Sequence, residues 1–217
     1  MREAGSGETQ CRERIDTAMA LLAGGRIADA EARFMALLAD RPGEPEALHG
    51  LACIARASGQ AGLAIGLAGR ALGMGGLSDA QRARFHITLG AALAEEGHLE
   101  PARAALHVAI LLGPGDPRAH RHAGHVLCRQ GRPDEGIVAL NEAVRLAPAD
   151  LTSHQELAGE LMALRRFSAA AVVFRAIVTL RPESAAAWAN LGAALLEAGE
   201  PDGARAALRR AVENDAA

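Results

Sequence analysis

Three prolines, Pro114, Pro148 and Pro182, stand 34 residues apart, and three histidines, His86, His120 and His154, keep the same interval. Other residues repeat in step with them. Gly97, Gly131 and Gly199 share one place in the cycle, and Arg165 occupies it in the intervening copy. Gly90, Gly124, Ala158 and Gly192 share a second place; Leu106, Leu140, Phe174 and Leu208 share a third. A period of this length argues against one globular core built from unlike elements. Each copy has to be one supersecondary unit that buries its apolar face against the next.

Within a copy, apolar residues recur at i, i+3, i+4 and i+7 in two runs, which predicts two helices of about 13–15 residues each. The Gly between the runs suits the left-handed residue that ends a first helix, and the Pro stops the second. Small pairs such as Ala123 and Gly124 let the two helices approach closely. Ala and Leu supply most of the apolar surface, aromatics are only 2% and Tyr is absent. That composition favours packed helices over sheets.

The register divides the chain into units of about 11–44, 45–78, 83–116, 117–150, 151–184 and 185–217, with residues 1–10 as a flexible, frayed N-terminal tail. An insertion near Gly75–Ser78 interrupts the period. Ser78-Asp79-Ala80-Gln81 then fits a capping box, so the next helix is expected to start near Asp79 with one extra turn. Gly62, Gly66 and Gly69 weaken the second helix of the second unit, which is expected to be the softest.

The net charge of −3 excludes the whole chain as an electrostatic nucleic-acid binder, and the scarcity of aromatics removes the stacking platforms single strands need. Cys11, Cys53 and Cys128 are far apart and odd in number, so no disulfide framework is expected. The first ten residues lack the apolar core of a signal peptide, and no run of 18 apolar residues exists to span a membrane. A cytoplasmic chain is expected. There is no phosphate-binding glycine loop and no nucleophile elbow. The chain is expected not to be an enzyme and to need no cofactor.

The last unit carries Trp188, Leu191, Gly192, Leu195, Ala204 and Leu208. This closely resembles the W-x2-L-G-x2-Y…A-x3-F pattern of the tetratricopeptide repeat (TPR) family. The other units resemble it with Leu or His for Trp and Leu for Tyr, so the likeness covers residues 11–217. It implies an all-α fold, a right-handed superhelical solenoid of helix-turn-helix repeats. It also implies a concave groove, lined by the first (A) helix of each unit, that takes a peptide or protein segment.

Carried onto this sequence, the groove includes Ile15, Met19 and Leu22 in unit one, His49 and Arg56 in unit two, and Arg84 in unit three. Unit four gives Arg118, Arg121, His122, His125 and Arg129, and unit six gives Leu196. The resemblance therefore implies an apolar entrance, a basic middle and a small-residue exit, and the basic middle would suit an acidic guest segment. The Lys-Asn-Arg carboxylate clamp of chaperone-binding relatives is missing, although Asn190 stands at one of its places.

Residue spacing bears on two histidine sets. His122, His125 and Cys128 share a helical stripe, but three ligands on one helix rarely converge on one ion, and no metal is expected. His86, His120 and His154 stand at the family Trp place and are expected to fill an inter-helix notch. At the C-terminal end Leu208, Ala211 and Val212 leave an apolar flank with no capping helix, which would permit a homo-oligomer. The leading expectation is an adaptor for protein partners. The alternatives are the N-terminal substrate-recruiting part of a larger enzyme of glycosyltransferase or sulfotransferase type, and a self-assembling scaffold.

Overall fold

The computed structural model describes residues 2–215, with side chains described from residue 8. Among these residues it holds twelve helices and no strand. They are α1 (Arg2–Ala23), α2 (Ile27–Asp40), α3 (Pro45–Ala57), α4 (Ala61–Leu72), α5 (Asp79–Glu95) and α6 (Leu99–Leu112). Then come α7 (Pro117–Arg129), α8 (Pro133–Leu146), α9 (Leu151–Ala163), α10 (Phe167–Leu180), α11 (Ala185–Glu197) and α12 (Pro201–Asp215). Odd-numbered helices are the A helices and even-numbered ones the B helices of six hairpins. The architecture is an all-α helical-repeat solenoid. No described helix is long and apolar enough to cross a membrane.

The N-terminal segment differs from its expected form. The first helix starts at Arg2, so residues 2–10 form its opening turns, while Met1 lies outside the described residues.

Each A helix ends the same way. Gly25, Gly59, Gly97, Gly131 and Gly199 take φ between 75° and 83°, and Arg165 takes 57° in the fifth hairpin. That left-handed residue turns the chain so that the next N–H reaches back over the last helical turn. Arg132 N donates to Leu127 O at 2.9 Å, and Arg166 N to Leu161 O at 2.8 Å. The same bond closes the A helices of the other hairpins, as helix C-caps of this kind require. Arg165 meets the geometry without the freedom of glycine, and its guanidinium lies 5.5 Å from the ring centre of Phe167.

Side chains set the starts of four A helices. Asp116, Asp150 and Ser184 cap α7, α9 and α11 by accepting backbone N–H bonds. Ser78 and Gln81 make the expected capping box, and α5 runs 17 residues where α3, α7, α9 and α11 run 13. The insertion is thus absorbed as one extra helical turn.

The chain forms two compact units, Met1–Pro114 and Gly115–Ala217. In the first, Phe34, Leu37, Leu48 and Phe85 are fully buried among alanines. In the second, Leu140, Leu157, Phe174 and Leu191 form the centre of the core. The tightest hairpin is α7–α8. A Cβ on Gly124 would lie 2.7 Å from Leu140 Cγ, and one on Gly136 would lie 2.8 Å from the Gly124 carbonyl oxygen. The small residues read as close-packing positions are therefore required by backbone approach. On α12, Leu208 and Val212 are exposed, as expected for the terminal flank, whereas Ala211 is buried.

Candidate binding faces

In the first unit, α1, α3 and α5 border a cavity of about 610 Å³. Ile15, Met19 and Arg84, read from the sequence as A-helix face positions, line it together with Arg12 and Glu46. Arg84 lies 2.5 Å from Glu46, and the Gln81 amide donates to the same carboxylate oxygen at 2.9 Å. Arg84 is therefore held by its own chain. Arg56 likewise lies 2.8 Å from Glu95. Leu22 is half-buried against the α1–α3 core.

His49 takes a different position from its expected one on the groove surface. It is only 5% exposed. Its ring stacks on Phe85 at 4.4 Å between centres, and Nε2 lies 2.9 Å from Thr88 Oγ1. Cys53 Sγ is 3.5 Å from the same nitrogen. The physical cause is α5, which packs on α3 and lays Phe85 and Thr88 over the ring.

In the second unit the A-helix face runs from α7 through α9 to α11. Arg118 reaches back to Asp116, the cap of its own helix, with bonds of 3.0 and 2.6 Å. Burial alone would raise the Asp116 pKa, but the Arg118 bonds outweigh it and hold the carboxyl below its usual value. Arg121 crosses to Glu156 on α9 at 2.8 Å. His122 Nε2 stands 3.5 Å from the Arg121 guanidinium. His125 and Arg129 are exposed.

Cys128 packs against Gly136 and faces Glu160. Burial, with the Glu160 charge and hydrogen bond, pushes its pKa up to about 12. The sulfur is therefore a thiol at neutral pH, a poor metal ligand. Among the described residues no group of three His, Cys, Asp or Glu is placed to hold a metal ion. The face then passes over Gln155 and Gly159 to Ala186, Ala189, Ala193 and the exposed Leu196.

The three periodic histidines are not equivalent. His154 is buried, with Nδ1 3.0 Å from the Asp150 carbonyl. His120 is half-buried. His86 carries a buried Nδ1 with no hydrogen-bond partner, and burial, then the Arg82 charge, lowers its pKa.

Sequence reasoning overlooked the acids. Asp16 and Glu44 line the first cavity, and Glu156 and Glu160 oppose Arg121 and Cys128. The signal was available in the spacing. Glu156 follows Arg121 by 35 residues, one repeat and one residue on, which sets it on the neighbouring A helix.

One tetratricopeptide repeat model matches residues 15–79 and 87–150, and a second matches residues 161–217. No curated protein matches the chain. Among solved structures it is similar to pilF of Pseudomonas aeruginosa, at 20% identity and TM-score 0.75, covering 93% of this chain and 90% of that one. It is also similar to YrrB, described as a TPR protein with an unusual peptide-binding site, at 18% identity and TM-score 0.62, covering 83% and 91%. A third similar structure is the MamA protein, at 18% identity and TM-score 0.65, covering 79% and 91%. These likenesses bear on the fold, and the repeat models, which span most of the sequence, show that the chain belongs to the tetratricopeptide repeat family.

Proposed function

We propose that this chain is a protein–protein interaction adaptor whose A-helix faces hold a segment of a partner. TPR repeats are interaction modules, and that is the coarse function. The observation that supports the finer reading is the α7–α9–α11 face. Three hairpins contribute side chains of different character to one exposed strip within a single compact unit. Arg118, Arg121, His122, His125 and Arg129 stand at one end, Gln155, Glu156 and Gly159 in the middle, and Ala193 and Leu196 at the other.

The guest this strip suits has acidic residues over α7, a small or polar stretch over α9, and an apolar residue over Leu196. Intramolecular acids moderate the basic end, so charge selects the guest's register more than it supplies affinity. Gly159 leaves room on α9, because a Cβ there would meet nothing within 4 Å. In the first unit, the cavity bordered by Arg12, Ile15, Met19 and Arg84 is the corresponding place for a further guest side chain.

The test is capture of partners with the tagged chain, followed by affinity measurement with Arg129→Glu. Arg129 is exposed on α7, and thermal unfolding checks that the variant keeps its fold. Affinity is expected to fall about tenfold, the equivalent of 1.4 kcal/mol. Unchanged affinity would remove α7 from the binding face.

A further inference from the structure

A second cleft lies elsewhere in the second unit, between the B helices α10 and α12, with α11 as its floor. Its volume is about 460 Å³. Trp188, Leu191 and Leu195 form the base, Val178 one wall, and Ala206 and Ala207 the other. These α11 residues are not those of the A-helix face. The lining on α12 extends from Gly203 to Arg210, about 10 Å at the helical rise.

The repeat explains why the cleft opens here. One period earlier, the places of Gly203, Ala206 and Ala207 are held by Ala169, Val172 and Val173. Val173 packs on the core there. The last hairpin has lost those methyl groups and gained an indole at the base, since Trp188 stands where His154 and His120 stand in earlier units.

Charge defines what the cleft suits. Arg175 and Arg210 line opposite walls, while their acidic neighbours Glu200 and Glu213 do not line it. Those pairs, at 3.1 and 3.3 Å, are about half exposed, so each is weak. A guanidinium has five N–H donors, and each pair uses one. An apolar trough between two cations matches a helix bearing apolar side chains one turn apart and flanked by carboxylates.

We propose that this cleft docks an amphipathic helix of a partner protein, with two aliphatic side chains seated on Trp188 and acidic residues meeting Arg175 and Arg210. The cleft is open along its length, and two turns of α12 match two anchors at i and i+4. The site is separate from the A-helix faces, and the two can be occupied independently.

Trp188 makes the test direct, because it is the only tryptophan and the chain has no tyrosine. The probe is a synthetic alanine- and glutamine-based helix carrying two leucines four residues apart, with glutamates on either side. The expected result is a saturable change in Trp188 emission. Replacing the probe's glutamates by lysines, or its leucines by alanines, is expected to weaken binding at least tenfold.

Ala206→Val restores the side chain that the preceding repeat carries and is expected to weaken binding at least tenfold with unchanged thermal unfolding. Should that variant unfold, Arg210→Glu serves the same purpose from the exposed rim. Arg129→Glu on the A-helix face is expected to leave the response intact. A silent Trp188 up to about 1 mM probe, equal binding of the lysine probe, or loss of the response with Arg129→Glu would each overturn the proposal.

Discussion

The Arg121 guanidinium on α7 lies 2.8 Å from the Glu156 carboxylate on α9, with the two side chains 20% and 30% exposed. The second Glu156 oxygen is buried and has no hydrogen-bond partner. Removing the arginine would leave a carboxylate partly desolvated and unpaired. Arg121→Ala is therefore expected to lower stability by about 1–2 kcal/mol, discounted for partial solvent screening. In a double-mutant cycle with Glu156→Ala, urea unfolding should give a coupling of roughly 1 kcal/mol. A coupling of zero would mean that solvent screens the pair completely.

Arg165 ends α9 at φ 57°, where the other five A helices use glycine. A side chain in that conformation costs of order 1 kcal/mol, and the Phe167 contact at 5.5 Å returns part of it. Arg165→Gly is expected to stabilise the chain by about 0.5–1 kcal/mol, read as a rise of roughly 1–4 °C in Tm. A lower Tm would show that the cation–π contact outweighs the backbone term.

Three glycines inside helices of the second unit differ in what surrounds them. Gly124 and Gly136 face each other across α7 and α8, and a methyl group on either would meet backbone within 3 Å. Gly124→Ala and Gly136→Ala are each expected to cost about 2 kcal/mol or more, because backbone cannot step aside as a flexible side chain can. Gly159→Ala is expected to stabilise α9 by about 0.5–1 kcal/mol, since the added carbon has open space. Thermal unfolding of the three variants should order them in this way. If Gly159→Ala also weakens guest binding, the gap it leaves on α9 is used by the guest.

Cys128 gives a pH signature. Its pKa of about 12 against a reference of 9.0 leaves roughly a thousandfold less thiolate at pH 8 than an unperturbed cysteine would carry. Iodoacetamide should therefore modify it slowly in the folded chain and quickly in urea. Because the folded value is raised, the neutral thiol is the form the fold favours. Its stabilising contribution is complete below pH 9 and declines as pH rises toward about 12. Glu160→Gln removes the secondary cause and is expected to speed alkylation, while burial, the larger cause, stays. A rate insensitive to Glu160→Gln would assign the shift to burial alone.

Much of the fold was legible because the repeat constrains the backbone. The left-handed turn at Gly131, the extra turn after Ser78 and the close approach at Gly124 each follow from a local rule about φ, capping or volume. The candidate faces were less legible because side chains there answer to neighbours one repeat away. Arg121 read as an open cation until Glu156 stood opposite it, and His49 read as surface until Phe85 covered it. The start of α1 was missed for a different reason. Residues 2–10 carry no apolar period, and a helix that lacks one gives periodicity nothing to detect.

The helices of each unit pack chiefly on the next helix, or the next but one, along the chain. Structure of that kind needs few encounters between distant residues, so each unit should assemble rapidly from whichever hairpin nucleates first. Stability within a unit is then graded from hairpin to hairpin, and amide exchange should differ between them.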